Sequence, residues 1–152
     1  MSTNTLLKVE GTAWSVSNDI EKALKDKVSS EDIVSSLGLD YTVSAHNVKT
    51  DIEEPVKGYY GMYRDDMQSF LGIVKTDEPK IIQNVDTFKP IEPLIEDGIL
   101  TPLVADSYLG GQQLFGCFEF NESYQVLEDT FNHYFIVVNN HLRPDGSLSI
   151  IN

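Results

Sequence analysis

Asn139, Asn140, His141 and Asp145 place two amides, one imidazole and one carboxylate in one short stretch, donor types that hold divalent cations. One imidazole and one carboxylate do not fill a coordination shell without distant partners, so neither metal nor cofactor is expected. Asn140, His141 and Asp145 stay as candidate binding residues.

A second candidate is the run from Lys57 to Arg64, Lys-Gly-Tyr-Tyr-Gly-Met-Tyr-Arg. On a strand, Tyr59, Gly61 and Tyr63 share one face, and Tyr60, Met62 and Arg64 the other. Tyrosines beside a glycine can stack bases, as in single-strand nucleic-acid binders. The plainer reading is that one face is core and the other a solvated tyrosine surface.

Gln83-Asn84 is either a polar recognition pair or a helix start, with Asn84 accepting from early backbone N–H groups. Gly110 and Gly111, between Leu109 and Gln112, would let backbone N–H groups approach an anion. The segment lacks the Lys and the strand-to-helix setting of a phosphate loop, so a hairpin turn is favoured.

Asp65-Asp66, Glu96-Asp97 and Glu128-Asp129 are adjacent acids whose side chains diverge on a strand or turn and read as solvated surface. His46 and His133 fall in strand patterns and read as ordinary sheet residues. Cys117 stands in apolar sequence with no neighbouring His, Lys or Arg to stabilise a thiolate, and reads as buried and inert. No Ser/His/Asp elbow, Walker loop or dinucleotide fingerprint is present, so no catalytic residue is assigned and the chain is read as non-enzymatic.

The elements that must carry these residues follow from periodicity. Residues 1–17 read as an irregular lead-in with Trp14 as an anchor. A helix follows, capped at Ser17 or Asn18, with Glu21 in the capping-box position and an end near Val28. Ser30 caps a second, short helix with Ile33, Val34 and Leu37 at helical spacing and Gly38 at its stop. Strands are expected from Asp40, over Gly58–Tyr63 and over Ser69–Lys75, with Arg64–Gln68 as the turn between the last two. A central helix is expected over 84–98, with Phe88, Ile91 and Ile95 inward and Pro90 and Pro93 forcing a late start or kink. Strands return at Ile99–Ala105, Gln112–Phe120, His133–Asn139 and Ser147–Ile151, the last after an Asp145-Gly146 turn. The expected fold is α+β: one domain over 1–152, a mainly antiparallel sheet, two N-terminal helices and one central helix.

The chain has 152 residues, 24 Asp plus Glu and 11 Lys plus Arg, for a net charge of -13. Acids outnumber bases in each of 1–57, 58–100 and 101–152, so polyanions are repelled at long range and direct nucleic-acid binding is disfavoured. No stretch reaches the ~20 apolar residues of a membrane helix, and no basic segment leads into an apolar core at the N-terminus. The expected location is the cytoplasm, without a membrane partner.

Several ordered segments resemble the N-terminal part of the phage/plasmid-like protein family, a domain family of unknown function. They are Leu37–Val43, Tyr63-Arg64-Asp65 with Leu71–Val74, Ile82-Gln83-Asn84 with Phe88, Ser107–Gln112, and Asn139-Asn140-His141 with Asp145-Gly146-Ser147. The chain departs from the family at Pro79-Lys80, where an aromatic is usual, and at Leu142-Arg143-Pro144, which interrupts a His-Asp-Gly-Ser run. Similar proteins also continue past the position of Asn152. The resemblance implies an accessory role on a phage, plasmid or integrated element, in the host cytoplasm.

The expected function is therefore binding of a host or mobile-element protein, with evasion of a host defence as its narrower form. Two alternatives are an acidic mimic of nucleic acid that occupies a DNA- or RNA-binding protein, and a single-stranded nucleic-acid-binding accessory protein using Tyr59, Tyr60, Tyr63 and Arg64.

Overall fold

A computed structural model describes residues 8–10, 13–15 and 18–151. Within the expected irregular lead-in, strands β1 (Lys8–Glu10) and β2 (Ala13–Ser15) pair antiparallel, which corrects the expectation for those six residues. Ser17, one of the two expected caps, and the side chains of Trp14 and Asn18 lie outside the described residues.

Helix α1 (Asn18–Leu24) ends four residues before Val28, because Asp26 adopts a left-handed φ of 61° that an α-helix cannot continue through. Helix α2 (Ser30–Ser36) is capped by Ser29 rather than Ser30, the Ser29 hydroxyl accepting from the Asp32 N–H at 3.1 Å. Ser30 is instead buried: its N–H donates to the Glu92 carboxylate at 2.6 Å, and its hydroxyl accepts from the Phe88 N–H at 2.9 Å. Gly38, at φ 67°, closes the helix as expected, and the Leu39 N–H returns to the Val34 carbonyl at 2.8 Å.

The central helix is shorter than expected. Two 3₁₀ turns, Asn84–Asp86 and Lys89–Ile91, precede helix α3 (Glu92–Glu96). Pro90 and Pro93 lack an N–H, and each is tolerated only at the start of a helical turn, so the second 3₁₀ turn and α3 each begin beside a proline instead of continuing one helix. Phe88, Ile91 and Ile95 still point inward and are buried.

The fold is α+β, and every strand pair is antiparallel. The main strands divide between two sheets. Strands β3 (Val43–Lys49), β4 (Pro55–Arg64) and β5 (Ser69–Lys75) form the first, in that order. Strands β6 (Leu100–Tyr108), β7 (Gln113–Phe120), β10 (Tyr134–Asn140) and β11 (Leu148–Ile151) form the second, in the order β11-β10-β7-β6. Between β7 and β10, strands β8 (Tyr124–Val126) and β9 (Asp129–Phe131) make a separate hairpin in a stretch where no strand is expected from sequence.

Each main sheet has its own core. The larger buries Leu24, Ile33 and Val34 of the helices and Phe88 of the central segment against Leu114, Phe118 and Val137 of the four-stranded sheet. Phe88 lies over Gly116, where an added Cβ would stand 2.5 Å from its ring, and meets Phe118 edge-on at 5.3 Å. The smaller core joins Tyr41, Val43, Met62 and Val74 on the inner face of the three-stranded sheet. Leu142, which follows β10, packs against this second core over Gly72 and so fastens the two sheets together.

Candidate functional site

The segment between β5 and α3 runs between the sheets, and its polar side chains are spent on joining them. The Gln83 amide pairs with the backbone of Val43 like a neighbouring strand, Oε1 accepting from the N–H at 2.9 Å and Nε2 donating to the carbonyl at 2.8 Å. Asn84 does not cap a helix; it is fully buried, donates from Nδ2 to the Leu39 carbonyl at 2.7 Å, and sets Oδ1 2.9 Å from His141 Nε2. Asn139 Nδ2 reaches the Ile82 carbonyl at 2.8 Å and the Thr87 hydroxyl at 2.9 Å. With the Asn84 amide committed as a donor to Leu39, its oxygen must accept, so the network assigns the His141 proton to Nε2. His141 is 4% exposed, its Nδ1 has no hydrogen-bond partner among the described residues, and burial pushes its pKa down to about 4.

The Asn139-to-Asp145 candidates therefore separate. Asn139 and His141 belong to the buried network, Asn140 Oδ1 accepts from the Leu142 N–H at 2.9 Å, and Asp145 is exposed, closing its own turn through Ser147. The Ser147 bonds hold the Asp145 carboxyl below the usual range. Among the described residues no group of three or more His, Cys, Asp or Glu side chains stands close enough to hold a metal ion.

Gly110 and Gly111 form the 3₁₀ turn between β6 and β7, at φ 71° and 101°, conformations that suit glycine. Gly111 is enclosed: a Cβ there would meet Arg64 and the Tyr41 hydroxyl at 3.1 Å, and Tyr41 donates to the Gly111 carbonyl at 3.0 Å. The Arg64 guanidinium lies 3.8 Å from the centre of the Tyr41 ring and binds Asp66 through both Nε (2.6 Å) and Nη2 (2.8 Å). Asp66 raises the Arg64 pKa, and Arg64 lowers that of Asp66. Arg64 is thus a packed, paired side chain of the inner face.

The tyrosines divide as the strand period requires. Met62 is core, and Tyr60 packs beside it with its hydroxyl donating to the Asp77 carbonyl at 3.3 Å. Tyr59 and Tyr63 stand on the outer face, where no helix among the described residues packs on the smaller core's sheet. Tyr63 leans over Gly61, 3.0 Å from where a Cβ would be, and its ring meets His46 edge-on at 5.3 Å and Phe70 at 5.4 Å. Register places Ile73 opposite Gly61, and Lys75 opposite Tyr59 with its ammonium 5.9 Å from that ring. Phe70 is 55% exposed and Ile73 54%, an unusual outlay of apolar area for a water-facing sheet.

One constellation on this face escaped sequence reading. Ser44 Oγ lies 2.6 Å from Asp65 Oδ1 and 2.9 Å from His46 Nε2, and Thr42 donates to Asp65 Oδ2 at 2.8 Å. The three residue types of a nucleophilic triad are present in the wrong order. Asp65, held ionised by the Ser44 and Thr42 hydroxyls, accepts the hydrogen bond from the Ser44 O–H, and in that arrangement His46 Nε2 donates to the Ser44 oxygen. The cluster fixes the His46 ring against Tyr63 and so orders the aromatic face. Ser44 and His46 are two apart, the spacing of strand neighbours on one face, which is the one signal the sequence offered. His133, also read as an ordinary sheet residue, lies just before β10 and meets Tyr124 edge-on at 5.1 Å. Cys117 is half-buried rather than buried, and desolvation, then Glu119, pushes its pKa up to about 11.

No family model, no curated protein and no solved structure matches the chain.

Proposed function

We propose that the chain acts by binding another protein through the outer face of its three-stranded sheet. The observation that carries this reading is the coherent apolar surface of Tyr59, Tyr63, Phe70 and Ile73, ordered by the Gly61 hollow and the His46 contact. Its chemistry is that of an interface centre, aromatic and aliphatic, with Lys75 and Asp65 as charges at its margin. A single-stranded nucleic acid would also find tyrosines here. The arginine that would hold its phosphates is bound to Asp66, and the net charge of -13 opposes its approach.

An accessory role on a mobile element, acting on a host or element protein in the cytoplasm, is the setting we propose for that binding; its support is the set of sequence segments quoted for the resemblance. Among the described residues no helix is long and apolar enough to cross a membrane.

Affinity capture from source-cell cytosol with the wild-type chain and the double variant Phe70→Asp/Ile73→Asp tests the reading. A protein held by the wild type and released by the variant is expected, with both melting at similar temperatures. Equal capture by the two, or a mobility shift of single-stranded DNA at low salt, would overturn it.

A further inference from the structure

The hairpin β8–β9 leaves the body of the protein as an arm whose apolar residues are turned outward. Tyr124, Val126 and Phe131 share one face, since Tyr124 pairs with Phe131 and Val126 with Asp129, while Gln125 and Thr130 take the other. All three are exposed, and Leu127 at the tip is 96% exposed. Leu127 also sits at φ 57°, a turn conformation that glycine or asparagine adopts readily and a leucine only at a cost of ~1 kcal/mol. A lone two-stranded hairpin is marginal in water, and this one adds apolar exposure and a strained apolar tip.

The base of the arm is firmly placed. The Phe120 N–H bonds the His133 carbonyl and the Asn121 N–H the Ile99 carbonyl, both at 3.0 Å, and the Asn121 amide bridges to the Gly98 carbonyl at 2.5 Å. Between this base and the turn after α3 lies a cavity of about 450 Å³ lined by Ile99, Phe120, Tyr124 and His133, with Asp97 and Glu122 also on its wall. His133 meets Tyr124 edge-on in its lining. None of the lining residues is Lys or Arg, and the sequence contains neither between Lys89 and Arg143. The cavity therefore combines an apolar, partly aromatic floor with the carboxylates of Asp97 and Glu122, while Lys22, Lys25 and Lys27 line a neighbouring pocket that shares Gly98 and Asn121 with it.

We propose that this groove, continued by the apolar face of the arm, receives an extended segment of a partner protein bearing an aliphatic or aromatic anchor flanked by Lys or Arg. The anchor fills the cavity against Ile99, Phe120 and Tyr124, and the flanking cations meet Asp97 and Glu122. A second copy of this chain is the wrong occupant on charge, because two chains at -13 repel. The groove is a site separate from the face of β3–β5, with its own partner chemistry.

The test is fluorescence anisotropy of a labelled peptide with a central leucine between paired lysines, titrated with the full chain at low and moderate salt. Saturable binding is expected, weakened at least tenfold by Asp97→Lys/Glu122→Lys and by Tyr124→Ala, and unchanged by Phe70→Asp/Ile73→Asp. Replacing the peptide's leucine by alanine should cost a similar factor. The charge-reversal pair alters only polar side chains of the cavity wall, so it reads binding even if Tyr124→Ala disturbs the arm. No saturable binding, binding indifferent to the charge reversal, or equal binding of the alanine peptide would each overturn the proposal. Concentration-dependent dimerisation of the free chain that Leu127→Lys abolishes would also overturn it, by assigning the arm to a second copy.

Discussion

His141 Nε2 and Asn84 Oδ1 face each other at 2.9 Å in the interior, joining the end of the four-stranded sheet to the segment that leads away from the three-stranded one. The pair is neutral, and its neutrality has a consequence in acid. Burial holds the folded-state pKa of His141 near 4, below the ~6.5 of an unfolded histidine, and protonation would place a second N–H at Nδ1 with no acceptor among the described residues. The unfolded chain takes up the proton first, so stability is complete above about pH 6.5 and falls as pH drops toward 4. The loss at pH 4 is at most about 3 kcal/mol by linkage. Urea unfolding at pH 7.5, 6 and 4.5 should show it, and His141→Gln should flatten the slope across that window. The carboxyls of Asp65, Asp66 and Asp145, all lowered in the fold, add a loss that begins as pH falls through the usual carboxylate range and continues below it.

Gly116→Ala should destabilise the fold by about 1–3 kcal/mol, because the new methyl would stand 2.5 Å from the Phe88 ring in the larger core. Gly110→Ala meets open space and costs only its backbone preference at φ 71°, about 1 kcal/mol. Thermal melts of the two variants should therefore separate clearly, the first lying lower.

Asn84→Ala should cost more than Gln83→Ala. Loss of Asn84 leaves the Leu39 carbonyl and His141 Nε2 unpaired inside the protein, at about 1–3 kcal/mol for each stranded group. Gln83 serves Val43 in a partly buried position that water can enter, and its loss should cost about 1 kcal/mol per bond or less. Chemical denaturation of the two alanine variants checks the order.

Cys117 should resist alkylation. With its pKa raised from 9.0 to about 11, its thiolate fraction at pH 8 is about a hundredfold lower than in the unfolded chain. Iodoacetamide labelling with and without urea should show a difference of that order.

The strands were largely legible, because Ser69–Lys75 and Gln112–Phe120 are short runs rich in aromatic and aliphatic residues bounded by turn residues. So were Gly38 as a helix stop and the turn character of Gly110-Gly111. The Ser29 cap was misplaced by one residue because Ser29 and Ser30 are chemically alike and only tertiary contacts from Glu92 and Phe88 tell them apart. Arg64, Gln83, Asn84 and His141 read as possible binding groups because a polar side chain gives no sign in sequence of whether water or the other sheet will face it. The β8–β9 arm went unread since its tip, Leu127-Glu128, lacks the Asn-Gly or Asp-Gly signal of a tight hairpin.

The Gln83 amide has one more effect. Strand β3 is an outer strand of its sheet, and at Val43 its unpaired N–H and carbonyl would otherwise present a template for a strand from another molecule. Gln83 occupies that template with a side chain that cannot propagate a ladder. A chain that lost this plug would keep its fold yet gain a sticky margin, and fibre-like self-association rather than unfolding would be its characteristic failure.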